Sequence, residues 1–412
     1  MYKTGNNASV GTGIDIRISC AGREATLRSG PTQFMRWIQT LTGKLKQSLP
    51  AGLAYVLAQR LGQPRRLRRL VVFPEQMYTG TAGDLRGWAI ARELRKRGWR
   101  TIVVPPWLDL RHRLMIVRQE MPDLILLQQS RHPLNRPALY PGIPCVFDAD
   151  DADILNAPAL VAECLRGCRA AIAGSRFLAH RFRQFNARVS IVWTGSYLSP
   201  APRAAPNKAR GPVIAWAHSD PFSYLPEAHF VRDLVVRLAL QHDHLTFCFY
   251  GAEDEAAAED YLSPIRAAGV EVKAFPPLRY RRFVQTLENA AIGLHPIAPE
   301  NPWSQGKSFG KLLAYMVANV AIVTSSAADH PLFFQHGHNG MLAGSIDEWV
   351  ACCGQLLSDP AMRARMVQQA CSDFSRRLTT ARAAELVDAV LTRVLDETQP
   401  TENTIIRSQE WV

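Results

Sequence analysis

Residues 301–326 read NPWSQGKSFGKLLAYMVANVAIVTSS and residues 329–349 read DHPLFFQHGHNGMLAGSIDEW. Lys307 and Lys311 lie four positions apart, just before an apolar run ending near Val317. That spacing predicts an apolar helix opening near Ser308 with both ammonium groups on its first turns. AIVTS follows as a short apolar run typical of a strand buried on both faces. His336, Gly337, Asn339 and Gly340 then form a turn sequence, with Gly340 supplying backbone freedom. A helix leading into a buried strand is an α/β order. The free N–H groups and the dipole at that helix's N-terminus favour negative charge, and two lysines there point to phosphate oxygens.

The same order extends in both directions. From Arg69 the strands RLVVF, TIVVP, DLILLQ, PCVFDA, CRAAIAGS and VSIVWTG alternate with helical segments, including one near 109–120. Asp84 is expected to cap the first helix, which runs to about Arg97 and stops at Gly98. SYLSPAPRAAPNKARGP, at 196–212, then reads as an interdomain connection. A second series starts at VIAWAHS and continues through TFCFYG, VEVKAF and IGLHPI into the lysine helix. The expected fold class is α/β, with two Rossmann-like doubly wound domains facing across a cleft. Ligands of such sheets bind at the strand C-termini. The expected boundaries are 69–198 and 212–378, joined by 199–211, with a helix at 379–395 and a tail at 396–412.

The net charge of +12 is concentrated at one end. Residues 1–70 hold twelve Lys or Arg against Asp15 and Glu24, so the extension at 1–68 is strongly basic. Phe34, Trp37, Ile38, Leu41 and Leu45 recur at helical spacing among its basic residues, so residues 32–69 are expected to contact an anionic membrane surface. A helix packed on the catalytic domain, or a solvated tail, would read the same way. The longest apolar run there, AGLAYVLA at 51–58, is far short of the ~18–20 residues that cross a bilayer. The sequence begins without a signal-like apolar region, so the expectation is a cytoplasmic protein, peripheral on the inner face of the cell membrane. Nucleic acid is not an expected partner, because basic residues interleaved with stacking aromatics are missing outside the extension. The eight cysteines read as buried thiols, since only Cys164-x3-Cys168 approaches ligand spacing and no second pair complements it.

Trp303, Gly306, Lys307, Ser308, Lys311, Leu312, Tyr315 and Met316, followed by HGHNGMLAGSIDEW, resemble glycosyltransferase family 4. These are retaining nucleotide-sugar enzymes of the GT-B fold. The subgroup motif is N-x-W-x-x-G-K-[SC]-x-x-K-L-[LI]-[EQ]-Y-M, and a weaker resemblance covers about residues 70–395. In that family the helix at 379–395 crosses back to the first domain. The resemblance implies a transferase that moves a sugar from a UDP- or GDP-linked donor to a saccharide, lipid-linked or other acceptor. It implies retention at the anomeric carbon, no required cofactor and no metal. Polysaccharide assembly is where many such enzymes act.

On that reading Lys307 and Lys311 hold the departing diphosphate, since fixed cations aimed at developing charge stabilise the transition state. His132 falls where the family places a histidine against the donor sugar, with Arg131 beside it. Gly80 and Gly83 resemble the family's glycine-rich loop, although this G-x-x-G does not match the dinucleotide fingerprint G-x-G-x-x-G. His218 and Ser219 occupy the loop whose glycine and serine approach phosphate in the family. Trp303, Gly306, Ser308 and Ala314 complete the expected donor contacts. Asp148, Asp150, Asp151 and Asp153 resemble a D-x-D-D signature and are assigned to helix capping and acceptor-side polarity. Three positions around the expected nucleotide depart from the pattern. Ala314 replaces a ribose-binding Glu or Gln, Asn319 replaces a glycine, and His218 replaces another. They motivate the alternative of a glycosyltransferase-like protein that binds a nucleotide sugar or glycan without turnover.

Overall fold

The computed structural model describes residues 15–20, 23–28, 48–60, 63, 68–76, 83–200, 210–307 and 309–398. The segment Phe34–Leu45, together with Gly80 and Ser308, lies outside the described residues. The strands are β1 (Asp15–Cys20), β2 (Arg23–Arg28), β3 (Arg68–Phe73), β4 (Trp99–Val103), β5 (Leu124–Gln128), β6 (Cys145–Ala149), β7 (Ala170–Ala173) and β8 (Val189–Ile191). They continue with β9 (Val213–Ala217), β10 (Thr246–Tyr250), β11 (Glu271–Phe275), β12 (Ile292–His295), β13 (Ala321–Ser325) and β14 (Met341–Ala343). β1 and β2 form a separate antiparallel pair.

Two six-stranded sheets follow, ordered β4-β3-β5-β6-β7-β8 and β11-β10-β9-β12-β13-β14, and both are parallel throughout. Helices cover both faces, so central strands such as β5, β10 and β13 are buried along their whole length and read as unbroken apolar runs. β11 is an edge, and it presents Glu271 and Lys273 outward, where charge discourages further strand pairing. The strand order reverses between β3 and β5 in the first sheet and between β9 and β12 in the second. The crevice at such a reversal is where a doubly wound sheet accepts a ligand.

The helix Gly310–Val317 buries every residue from Leu312 to Val317. Eight residues are too few for a stable isolated helix, so this burial holds it, at ~1.5–3 kcal/mol for each large apolar side chain. It ends at Asn319, whose φ of 55° is left-handed. The Asn319 N–H donates to the Met316 carbonyl at 3.0 Å and the Val320 N–H to the Tyr315 carbonyl at 2.9 Å, which is a Schellman ending. Asparagine is the residue besides glycine that tolerates this conformation, so Asn319 does the work of the glycine it replaces.

The chain passes between the domains twice, side by side. Ser196 donates its N–H to the Leu378 carbonyl and accepts from Thr380 N–H, both at 2.9 Å. A Cβ on Gly195 would fall 2.4 Å from the Thr379 carbonyl oxygen, so only glycine fits this crossing. The helix Thr380–Thr398 then packs on the first domain. Val387, Leu391 and Val394 join the core around Leu70 and Trp99, and Trp99 Nε1 donates to Asp388 at 2.7 Å.

Two local expectations need correction. Asp84 caps no helix. A π-helical turn, Gly83–Trp88, leads into the helix Ala89–Lys96, and Asp84 accepts from the Tyr197 hydroxyl at 2.6 Å. That turn carries Arg86 inward to chelate Asp148 with bonds of 2.7–3.1 Å, and Arg86 also donates to the Val192 carbonyl at 2.9 Å and Thr194 at 3.1 Å. Secondly, the lysine segment is broken in two. A single turn, Pro302–Gln305, precedes the helix Gly310–Val317, leaving Lys307 in the connecting loop and Lys311 alone on the helix.

Candidate functional site

The site forms at the reversal in the second sheet. β9 ends at Ala217 and delivers His218, while β12 ends at His295. Lys307 Nζ lies 2.8 Å from His218 Nε2 and 3.7 Å from the centroid of the Tyr224 ring. Tyr224 also packs on the His218 ring, with centroids 4.1 Å apart. Withdrawal from water, followed by repulsion from Lys311, brings the Lys307 pKa down to about 7. Burial lowers Lys311 as well, against the pull of Asp151 and Asp150. His218 and His295 are both held well below the ordinary histidine range, first by burial and then by neighbouring cations.

The loop carrying Lys307 is anchored by a residue the sequence did not single out. Glu227, buried near the start of the helix Leu225–Ala239, accepts from Ser304 Oγ, from Asn301 Nδ2 at 3.4 Å and from the Ala298 N–H at 3.3 Å. Nothing local marks it, because it lies more than seventy positions before the residues it holds. Tyr224 was missed for the same reason. His295 was visible as the one polar residue in the apolar run IGLH. It sits about 5 Å from His330, centroid to centroid, with no hydrogen-bond partner on Nδ1.

The first domain closes directly on this loop. Ser175 Oγ donates to the Gly306 carbonyl at 3.1 Å, and a Cβ on Gly306 would stand only 2.7 Å from the Ala152 methyl. Asp329 reinforces the closure by accepting from the Arg176 N–H at 3.0 Å and from Trp193 Nε1 at 2.8 Å. Gly306→Ala is therefore expected to leave the second domain folded, since its φ of −79° suits any residue, while forcing the Asp150–Asp153 loop away. A displacement of about 1 Å costs on the order of 10²-fold in a positioned reaction. An unchanged kcat/KM in this variant would show that the approach of Ala152 is irrelevant.

The remaining expected residues are dispersed. His132 donates Nε2 to the Pro106 carbonyl at 2.9 Å and accepts the Leu134 N–H on Nδ1 at 3.1 Å, so both ring nitrogens are engaged within the first domain. Burial and Arg113 hold it near 4. Gly83 opens the π-helical turn. Ser219 is exposed, Ala314 is buried in the core, and Trp303 packs against the first domain's hydrophobic cluster. His336 bonds Leu342 within its own turn. Of the four aspartates, Asp148 is paired with Arg86, Asp150 accepts from Gln129 and Thr194 at 2.7 Å, and Asp151 and Asp153 both hold Arg131. Among the described residues no cluster of His, Cys, Asp and Glu is arranged to hold a metal ion. No helix of the described residues is long and apolar enough to cross a membrane.

Residues 230–388 match the family described as glycosyl transferase-like. Among solved structures, the chain is similar to Anabaena HepE in complex with UDP, at 13% identity and a TM-score of 0.61, over 79% of this chain and 100% of that one. The fold is of the two-domain GT-B type. Further GT-B similarity is found to HepE in complex with UDP and glucose, at 14% identity and a TM-score of 0.57, over 79% of this chain and 100% of that one. Sucrose-phosphate synthase from Thermosynechococcus elongatus matches at 8% identity and a TM-score of 0.62, over 80% of this chain and 100% of that one. No curated protein matches the chain in sequence. In this GT-B chain Lys307 and Lys311 belong to the second domain, at the face turned toward the first.

Proposed function

We propose that the protein is a glycosyltransferase of the family 4 type, moving a sugar from a UDP- or GDP-linked donor to a saccharide or lipid-linked acceptor with retention. The observation that carries this reading is the pair Lys307 and Lys311, withdrawn from water at the strand reversal of a GT-B second domain. Among the described residues no carboxylate ion-pairs with either lysine, although Glu227, Asp150 and Asp151 attract them from a distance. Partly desolvated cations of this kind are costly in the ligand-free protein and become favourable when an anion arrives. A departing diphosphate is such an anion, and its stabilisation is the main electrostatic demand of the reaction. HepE, similar in fold, was crystallised with UDP, and with UDP and glucose, which supports a uridine diphosphate donor.

Retention follows from the family resemblance, in which the leaving phosphate itself accepts the acceptor's proton and no protein carboxylate attacks the sugar. The expected membrane segment 32–69 needs correction in its second half, because the helix Leu49–Arg60 packs Tyr55, Val56 and Ala58 into the first domain's core and Arg68 and Arg69 open β3. The basic, aromatic stretch before it, at 32–46, would bring the enzyme to an anionic membrane surface and to lipid-linked acceptors. The alternative of binding without turnover loses one of its three supports, since Asn319 preserves the helix ending that glycine would make. Ala314 still lacks a group to accept from ribose. Calorimetry with UDP- and GDP-sugars, followed by an assay for released nucleoside diphosphate, tests the proposal. Binding with acceptor-stimulated release supports a transferase; binding without release across a panel of saccharide and lipid-linked acceptors supports the alternative, and no binding defeats both.

A further inference from the structure

His218 stands where the resembled family has glycine, and its hydrogen bonds constrain where a proton can sit. Its Nδ1 lies 3.1 Å from the Asp220 backbone nitrogen. That N–H can only donate, so Nδ1 keeps its lone pair. A neutral imidazole must then carry its hydrogen on Nε2. Nε2 lies 2.8 Å from Lys307 Nζ, a distance that requires one donor and one acceptor. An ammonium facing an N–H would place two donors against each other. The arrangement is satisfied when Lys307 is an amine whose lone pair accepts from His218.

We propose that the empty site holds Lys307 as a neutral amine bonded to His218 Nε2–H, and that a diphosphate ligand binds together with one proton. This rests on the nucleotide-sugar reading above and adds a proton to its binding step. The proton comes from solvent and takes the amine lone pair, which breaks the N–H···N bond. Lys307 then presents an ammonium, and His218 a freed Nε2–H, to phosphate oxygens.

The surroundings favour this. Lys311 repels a charge on Lys307, Glu227 and Asp151 attract it, His295 and His330 stay neutral near neutral pH because burial depresses both, and the Tyr224 ring covers the pair. Burial is the largest influence, and the balance leaves Lys307 titrating near 7. The sign follows directly. The complex holds more protons than the empty protein, so affinity is fully present below about pH 7 and falls by up to tenfold per pH unit above it. The fall ends where the bound lysine itself deprotonates.

Two measurements test this on the full chain. Nitrogen NMR of the ligand-free protein labelled with 15N-histidine should show His218 as the neutral Nε2–H tautomer at pH 8. The Nδ1–H tautomer or an imidazolium there would overturn the neutral pair, and this result needs no nucleotide. Calorimetry with UDP and GDP at pH 8, in buffers of different ionisation enthalpy, should give uptake of about one proton per nucleotide. Lys307→Arg keeps a permanent charge, and His218→Gln offers an amide oxygen to a charged Lys307. In both, the uptake should fall toward zero. Absent uptake in the unaltered protein, or full uptake in both variants, would overturn the coupling. If neither nucleotide binds, the diphosphate reading and the coupled proton fail together, while the tautomer still decides the pair.

Discussion

Replacing Lys307 and Lys311 together by methionine is expected to remove measurable affinity for UDP and GDP while leaving the fold intact. Each lysine offers a phosphate charge-assisted hydrogen bonds in a site withdrawn from water, worth about 1.5–3 kcal/mol apiece. At about 1.4 kcal/mol per decade, losing both weakens binding by roughly 10²–10⁴-fold. The fold should not suffer, because burial depresses both groups and Lys311 repels Lys307 further, so a charge on either side chain opposes folding in the ligand-free protein. Tm should be equal or higher. Calorimetry for affinity and thermal unfolding for stability read the two effects separately. Undiminished affinity in a folded double variant would remove the basis of the proposed function.

The largest effect on stability is expected at Arg86 and Asp148. The two side chains are buried and chelated, and Arg86 also satisfies the Val192 carbonyl and Thr194. Burial nonetheless pushes the Asp148 carboxyl up to about 6, so the pair has not recovered the full cost of leaving water. Asp148→Ala leaves the guanidinium buried without its partner, and about 3–5 kcal/mol of stability should be lost. Arg86→Met with Asp148→Leu removes both charges and should cost far less than either single change. Denaturant unfolding of the two single variants and the double variant measures this. Additive losses would show that the residues act independently.

Much of the architecture was legible because it depends on local pattern. Parallel strands covered on both faces are forced to be apolar throughout, so β5, β10 and β13 stand out as runs, and the prolines at 200–212 mark the passage between domains. Residue types alone led to the expectation that the Gly306–Lys311 segment holds an anion. Its break into two helices could not be read from them, because Lys307 is displaced from the helix by contacts with His218, Tyr224 and the Glu227-held loop. Asp84 failed as a cap for a comparable reason. Arg86 had to turn inward toward Asp148, sixty-two positions away, and the backbone widened into a π-turn to allow it.

Composition and periodicity alone therefore determined two doubly wound domains and an expected pair of lysines at the start of one helix, since burial on both strand faces and charge at a helix start leave marks within a few residues. Only the tertiary structure decided that His218 bonds Lys307, that Glu227 holds the loop and that Asp150 and Asp151 face the lysines. Those relations join elements far apart in the chain, and a proton shared between two nitrogens depends on a distance of 2.8 Å that no spacing along the backbone encodes.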